Sequence, residues 1–68
     1  MELKFSERLN ELMEEKQISA LALSKIIHIN DATISRWRRG EMNPTIDKLN
    51  ILCDFFGVTA DFLIGRED

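Results

Sequence analysis

Three times in this chain an apolar residue precedes a side chain able to cap a helix, and a second apolar residue follows five positions after the first. The sets are Ile18-Ser19 with Leu23, Ile29-Asn30 with Ile34, and Val58-Thr59 with Leu63. In each, the capping oxygen accepts from first-turn N–H groups that have no partner inside the helix. The apolar pair clamps the angle at which the chain enters it. Three helix starts are thereby fixed in register, and the chain reads as all-α.

Five helices are expected and no strand. Helix one runs from about Phe5 to Lys16, with Phe5, Leu9, Leu12 and Met13 on one face at helical spacing and Ser6 as a cap. Its other face carries Glu7, Glu11, Glu14 and Glu15. No His or Cys nearby completes an acid–base pair with them, so they read as a solvated face. Helix two spans about Ala20 to Ile27, helix three about Asp31 to Arg39, and helix five about Ala60 to Ile64. Helix four begins near Thr45, after a proline at 44 that disfavours helical geometry at Asn43. It ends before Gly57, a residue suited to the left-handed terminating position. Its stripe of Leu49, Leu52, Cys53 and Phe56 faces the core, which makes Cys53 a small core residue.

With 68 residues there is room for a single domain, 1–68, around one modest core. A hydrophobic content of 44% beside 31% charged residues is that of a soluble, folded protein and not of a disordered tail. The lone Cys53 makes no intramolecular disulfide, which fits a reducing cytosol. No apolar run is long enough to span a bilayer, and the N-terminal stretch is charged and helix-forming rather than signal-like, so a cytoplasmic location is expected. One His and one Cys supply neither a zinc set nor a nucleophile with its base, and there is no Gly-rich phosphate loop. Neither catalysis nor a metal, cofactor or small-molecule ligand is expected. His28 stands at the exit of helix two, where the helix dipole favours a cation and where histidine tolerates left-handed geometry better than most residues.

The segment with most to say about function is SALALSKIIHINDATISRWRRGEMNP, from Ser19 to Pro44. Two short amphipathic helices are joined there by a three-residue turn and followed by an arginine cluster and a Gly-to-Pro loop. The chain's net charge of -3 argues against a nucleic-acid partner only as a sum. From Ser19 to Asn50, Lys25, Arg36, Arg38, Arg39 and Lys48 outnumber Asp31, Glu41 and Asp47, while the acids concentrate at the two ends. An acidic body with a basic patch can neutralise phosphates locally.

Leu23, Ser24, Ile27, Ile29, Ile34 and Trp37 occupy apolar and small positions that lock the two central helices together. RRGEMNP follows as a loop, and LNILCDFFGVTADFLIG closes the pattern with a helix, Gly-Val-Thr and a short final helix. In these pieces, in this order, the chain from Ser19 to Ile64 resembles the Cro and lambda-repressor type of helix-turn-helix, the XRE family. The likeness implies a compact five-helix DNA-binding domain with its helix-turn-helix unit at about 19–39. The helix beginning at Asn30 would lie in the major groove of double-stranded DNA with its first residues toward base edges, and the preceding helix across the backbone.

With Ile34 and Trp37 facing the core, the outward positions are Asp31, Ala32, Thr33, Ser35 and Arg36, the expected base contacts. Arg36 can donate two hydrogen bonds to guanine O6 and N7. Thr33 and Ser35 bond bases or phosphate, and Ala32 packs on a thymine methyl. Asp31 either accepts from cytosine N4 or serves the dipole of its own first turn. Backbone contacts are expected from Ser19, Ala20, Asn30, Arg38, Arg39 and Asn43, with Arg38 and Arg39 also forming a favourable positive end to helix three. Lys25 and Lys48 read as solvated.

Three departures from the family pattern stand out. Ala20 replaces a common glutamine, so only its backbone can meet a phosphate. Met13 and Arg38 replace an Arg–Glu pair between helices one and three, which frees Arg38 for DNA. His28 replaces the usual turn glycine. The family binds palindromic operators as two-fold dimers, and Ile51, Phe55, Phe62 and Ile64 are the expected homodimer surface. For these the competing reading is burial in the core or cover by Arg66 and the terminal acids. A protein-interaction module of the same fold, anti-repressor or antitoxin-like, is the alternative function, favoured by the acidic net charge and Ala20. The chain reads equally as a minimal regulator or as the N-terminal domain of a longer repressor.

Overall fold

A computed structural model describes residues 4–66. Five helices follow one another: α1 (Phe5–Glu15), α2 (Ala20–Ile27), α3 (Asp31–Arg38), α4 (Ile46–Phe56) and α5 (Ala60–Leu63), with no strand among the described residues. Helices α1, α3 and α5 each end one residue sooner than their periodicity predicts. The last predicted residue, Lys16, Arg39 or Ile64, is in each case the C-cap.

The three cap-and-clamp signatures form as their sequence dictates. Ser19 Oγ accepts from the Ala22 N–H at 3.1 Å, Asn30 Oδ1 from Ala32 at 2.7 Å, and Thr59 Oγ1 from Phe62 at 3.0 Å. In each pair the apolar residue five positions on, Leu23, Ile34 or Leu63, is fully buried. Thr45 caps α4 in the same way through Lys48, and Gly57 closes that helix at φ 70°.

Helix one departs from expectation at its start. Ser6 is not the cap: Lys4 holds that position and no side chain caps the helix. The reason is tertiary, because the Lys4 N–H donates to the Ile64 carbonyl at 3.1 Å and so pins the chain to the end of α5 two residues earlier. Gly65 permits this approach. It sits at φ 85°, and a Cβ there would come within 2.7 Å of the Lys4 side chain.

The core is continuous across all five helices: Phe5, Leu9 and Met13 from α1, Leu23 from α2, Ile34 and Trp37 from α3, Leu52, Cys53 and Phe56 from α4, and Leu63 from α5, with Ile29 from the turn. Leu12 and Leu49 are half-buried against it. Trp37 is the largest of the fully buried side chains and meets Phe5 edge to face, with ring centroids 6.0 Å apart. Its indole Nε1 finds no acceptor among the described residues. Helix α3 packs on both α1 and α2, so the outward face of α3 is presented on a rigid base. Among the described residues no helix is long and apolar enough to cross a membrane.

Candidate nucleic-acid interface

Helix α2 is entered through its cap Ser19 and ends at His28, which adopts left-handed geometry at φ 59° and ψ 41°. That single residue turns the chain into Ile29 and Asn30, where α3 starts. The two helices are thus set by side chains on both sides of the turn: Leu23 before it, Ile29 and Ile34 after it, all buried.

Successive residues of a helix are about 100° apart around its axis. With Ile34 and Trp37 defining the buried side of α3, Ala32 falls nearest the opposite side and Ser35 and Arg36 lie about 50° to either side of that direction; of these Ala32 and Arg36 are exposed. Thr33 lies closer to the buried side, and both it and Ser35 are half-buried, while Asp31 is exposed in the first turn. Thr33 faces a groove shared with Trp37, Met42, Asn43, Pro44, Thr45 and Lys48. Ser35 faces another with Asn10, Arg38 and Arg39. Of the expected base-contacting set, Asp31, Ala32 and Arg36 are exposed, while Thr33 opens toward Asn43 and Ser35 toward Arg38 and Arg39. Ser19 and Asn30 are exposed as well, and Ala20 is half-buried.

The arginines differ in what already holds them. Arg38 is not free as expected from the missing family pair. Its Nε donates to Asn10 Oδ1 at 2.6 Å, and Asn10 Nδ2 donates to the Arg38 carbonyl at 2.9 Å. A reciprocal hydrogen-bonded link between α1 and α3 has taken the place of the charged pair, using Asn10 one turn before Met13. Arg39 is engaged by Glu41, with Nε–Oε2 at 2.7 Å. The hydrogen bond from Arg39 and its charge hold the Glu41 carboxyl below its ordinary value, with the charge of Arg36 adding a smaller contribution. The same pairing holds the Arg39 guanidinium above its own. Sequence reasoning counted Glu41 only as a charge; the signal available to it was an acid two residues from Arg39 across a glycine.

Elsewhere the chemistry is quiet. Burial pushes the Cys53 thiol up, helped by the charge of Asp54, which is opposite to what a reactive cysteine needs. Among the described residues no group of His, Cys, Asp or Glu is placed to hold a metal ion.

At the surface expected for dimers, Ile51 is 39% exposed. Phe55, Phe62 and Ile64 are half-buried. A cation lies over each aromatic ring: Lys16 Nζ is 5.6 Å from the Phe55 centroid and the Arg8 guanidinium 4.4 Å from that of Phe62. Arg66 is exposed, and the terminal acids Glu67 and Asp68 lie outside the described residues.

Comparison with known proteins bears on this geometry. The Cro/C1-type HTH DNA-binding domain model matches residues 8–68. The HTH-type transcriptional activator BcrR of Enterococcus faecalis is 29% identical over 66 residues, covering 97% of this chain and 32% of that protein. The HTH-type transcriptional regulator AnsR of Bacillus subtilis (strain 168) is 33% identical over 61 residues, covering 90% of this chain and 53% of the other. The chain thus spans about a third and about half the length of these two relatives. The crystal structure of a transcriptional regulator from Listeria innocua superposes on all of this chain and 64% of that one, with a TM-score of 0.91 at 25% identity.

Proposed function

Because the chain belongs to the Cro/C1-type HTH DNA-binding domain family, we propose that α3 reads an operator in the major groove, with Arg36 as its principal base contact. The observation that carries this reading is the division of α3 into a buried side, Ile34 and Trp37, and an exposed side, Ala32 and Arg36. Arg36 is the one long, two-donor side chain on that exposed side, and a guanidinium matches guanine O6 and N7. Thr33 and Ser35 flank it and Asp31 precedes it. Their short side chains reach only bases close to the helix.

Backbone contacts follow from the helix starts and the arginine cluster. Ser19 Oγ accepts from Ala22, which leaves the N–H groups of Ser19 and Ala20 at the start of α2 to meet a phosphate on the helix dipole. Asn30 caps α3 with its oxygen and keeps its amide N–H groups for the same use. Arg38, Arg39 and Asn43 flank the recognition surface. The protein acts as a homodimer on a palindromic site, through Ile51, Phe55, Phe62 and Ile64. It works by binding rather than by catalysis. Repression by occluding a promoter needs no contact beyond those to DNA, and that is the reading proposed, although one relative carries the name of an activator.

Selection of duplexes from a randomised pool at low salt, followed by binding with Arg36→Ala, tests this. A sequence should be enriched, and the substitution should cost about 1–3 kcal/mol and relax preference at one base pair of each half-site. Enrichment of nothing sinks the DNA-reading proposal and turns attention to a protein partner. Equal loss across all sequences moves Arg36 to the backbone.

A further inference from the structure

The pairing of Arg39 with Glu41 rests beside the proposed recognition surface, and nothing in the fold requires it. We infer that Glu41 competes with backbone phosphate for Arg39, and so sets how tightly and how salt-dependently the protein holds DNA. This rests on the DNA-reading proposal above and adds to it a residue that weakens binding by design of the loop.

The backbone fixes the competitor in place. As the chain leaves α3, the Gly40 N–H donates to the Trp37 carbonyl at 3.1 Å and the Glu41 N–H to the Arg36 carbonyl at 3.0 Å. Trp37 is fully buried, so this closing turn is anchored in the core and Glu41 is held at the end of the recognition helix. From there its carboxylate takes Arg39 side-on, Oε2 at 2.7 Å from Nε and Oε1 at 3.5 Å from Nη2. That is the two-donor edge by which a guanidinium grips a phosphate. The carboxylate occupies that edge, so a phosphate must either displace it or bind the remaining edge beside its negative charge.

The pair is also exchangeable. Both side chains are more than half exposed, 57% and 54%, and an exposed ion pair contributes little to stability. A phosphate can therefore displace Glu41, but the released carboxylate stays beside the DNA, cancelling much of what Arg39 contributes. The charge of Arg36, the proposed base reader, also makes a small contribution at Glu41.

A labelled random-sequence DNA duplex, titrated by anisotropy across a range of salt concentrations, tests the inference with the wild-type protein, Glu41→Gln, Arg39→Ala and the double variant. Removing the competitor removes a charge that offsets as much as one phosphate contact. Glu41→Gln should then steepen the log–log salt slope by about 0.9 and tighten binding roughly fivefold near physiological salt. Most of both gains should vanish when the same substitution is made on Arg39→Ala. Circular dichroism confirms that each variant is folded.

Two outcomes overturn the inference while leaving the DNA reading intact: no gain from Glu41→Gln, or an equal gain with and without Arg39, which makes Glu41 a general repulsive charge. Failure of the folded wild type to bind even at low salt removes the DNA reading itself, and the inference with it.

Discussion

His28 and Gln17 hold the chain in left-handed geometry, at φ 59° and 54°, where glycine is the residue without a steric penalty. At His28 the strain follows from the need to turn α2 into α3 within three residues. At Gln17 it follows from the way α1 closes, with the Gln17 N–H on the Glu14 carbonyl and the Ile18 N–H on that of Met13. Replacing His28 with glycine should stabilise the protein by about 1 kcal/mol, reading as a melting temperature raised by roughly 4–8 °C. Gln17→Gly should act in the same direction. A lowered melting temperature in both would mean that the lost side chains hold more than their backbone costs. The geometry at 28 was legible because the residue departs from a glycine expected there. That at 17 was not, since nothing in glutamine announces it and only the two closing hydrogen bonds reveal it.

Among the elements, α3 shows how much of a candidate site a sequence can disclose. Its cap, its start at Asp31 and its buried side follow from Asn30 and the spacing of Ile29, Ile34 and Trp37. What its far end does was not legible, because the partner of Arg38 is Asn10, 28 positions away on α1. Removing that partner should loosen the α1–α3 junction without touching the core: Asn10→Ala is expected to lower unfolding free energy by about 1 kcal/mol. Denaturant melts of that variant and of Arg38→Ala check it. Losses that simply add in the double variant would mean that the two side chains do not act on one another. The start of α1 makes the same point from the other direction. Ser6 has the chemistry of a cap, yet the hydrogen bond from Lys4 to Ile64 sets where the helix begins.

The described residues measure 31 × 23 × 22 Å. Half-sites read by paired helix-turn-helix domains lie roughly 34 Å apart, and an eight-residue helix is about 12 Å long. One copy covers one half-site, which is why a dimer belongs to the proposal. Ile51 and Phe55 sit four apart on α4 as neighbours on one face, and Lys16 lies over the Phe55 ring. Phe55→Glu should therefore leave a folded protein, its new carboxylate facing Lys16, while it opposes burial of that face against a second copy. Sedimentation velocity should show a dimer for the wild type and a monomer for this variant. An unchanged profile would reject this surface.

What the sequence determined by itself is the set of helices and their buried sides, because caps, apolar spacing and turn residues act within a few positions of one another. The same local rules exposed Ala32 and Arg36 on α3. Only the tertiary structure decided what the rest of the surface charge does: Arg38 tied to Asn10, Arg39 to Glu41, Lys16 and Arg8 over aromatic rings. Long, flexible side chains take whichever partner the packed helices bring within reach. That reach depends on how α1, α3 and the loop after α3 come together, which no local pattern records.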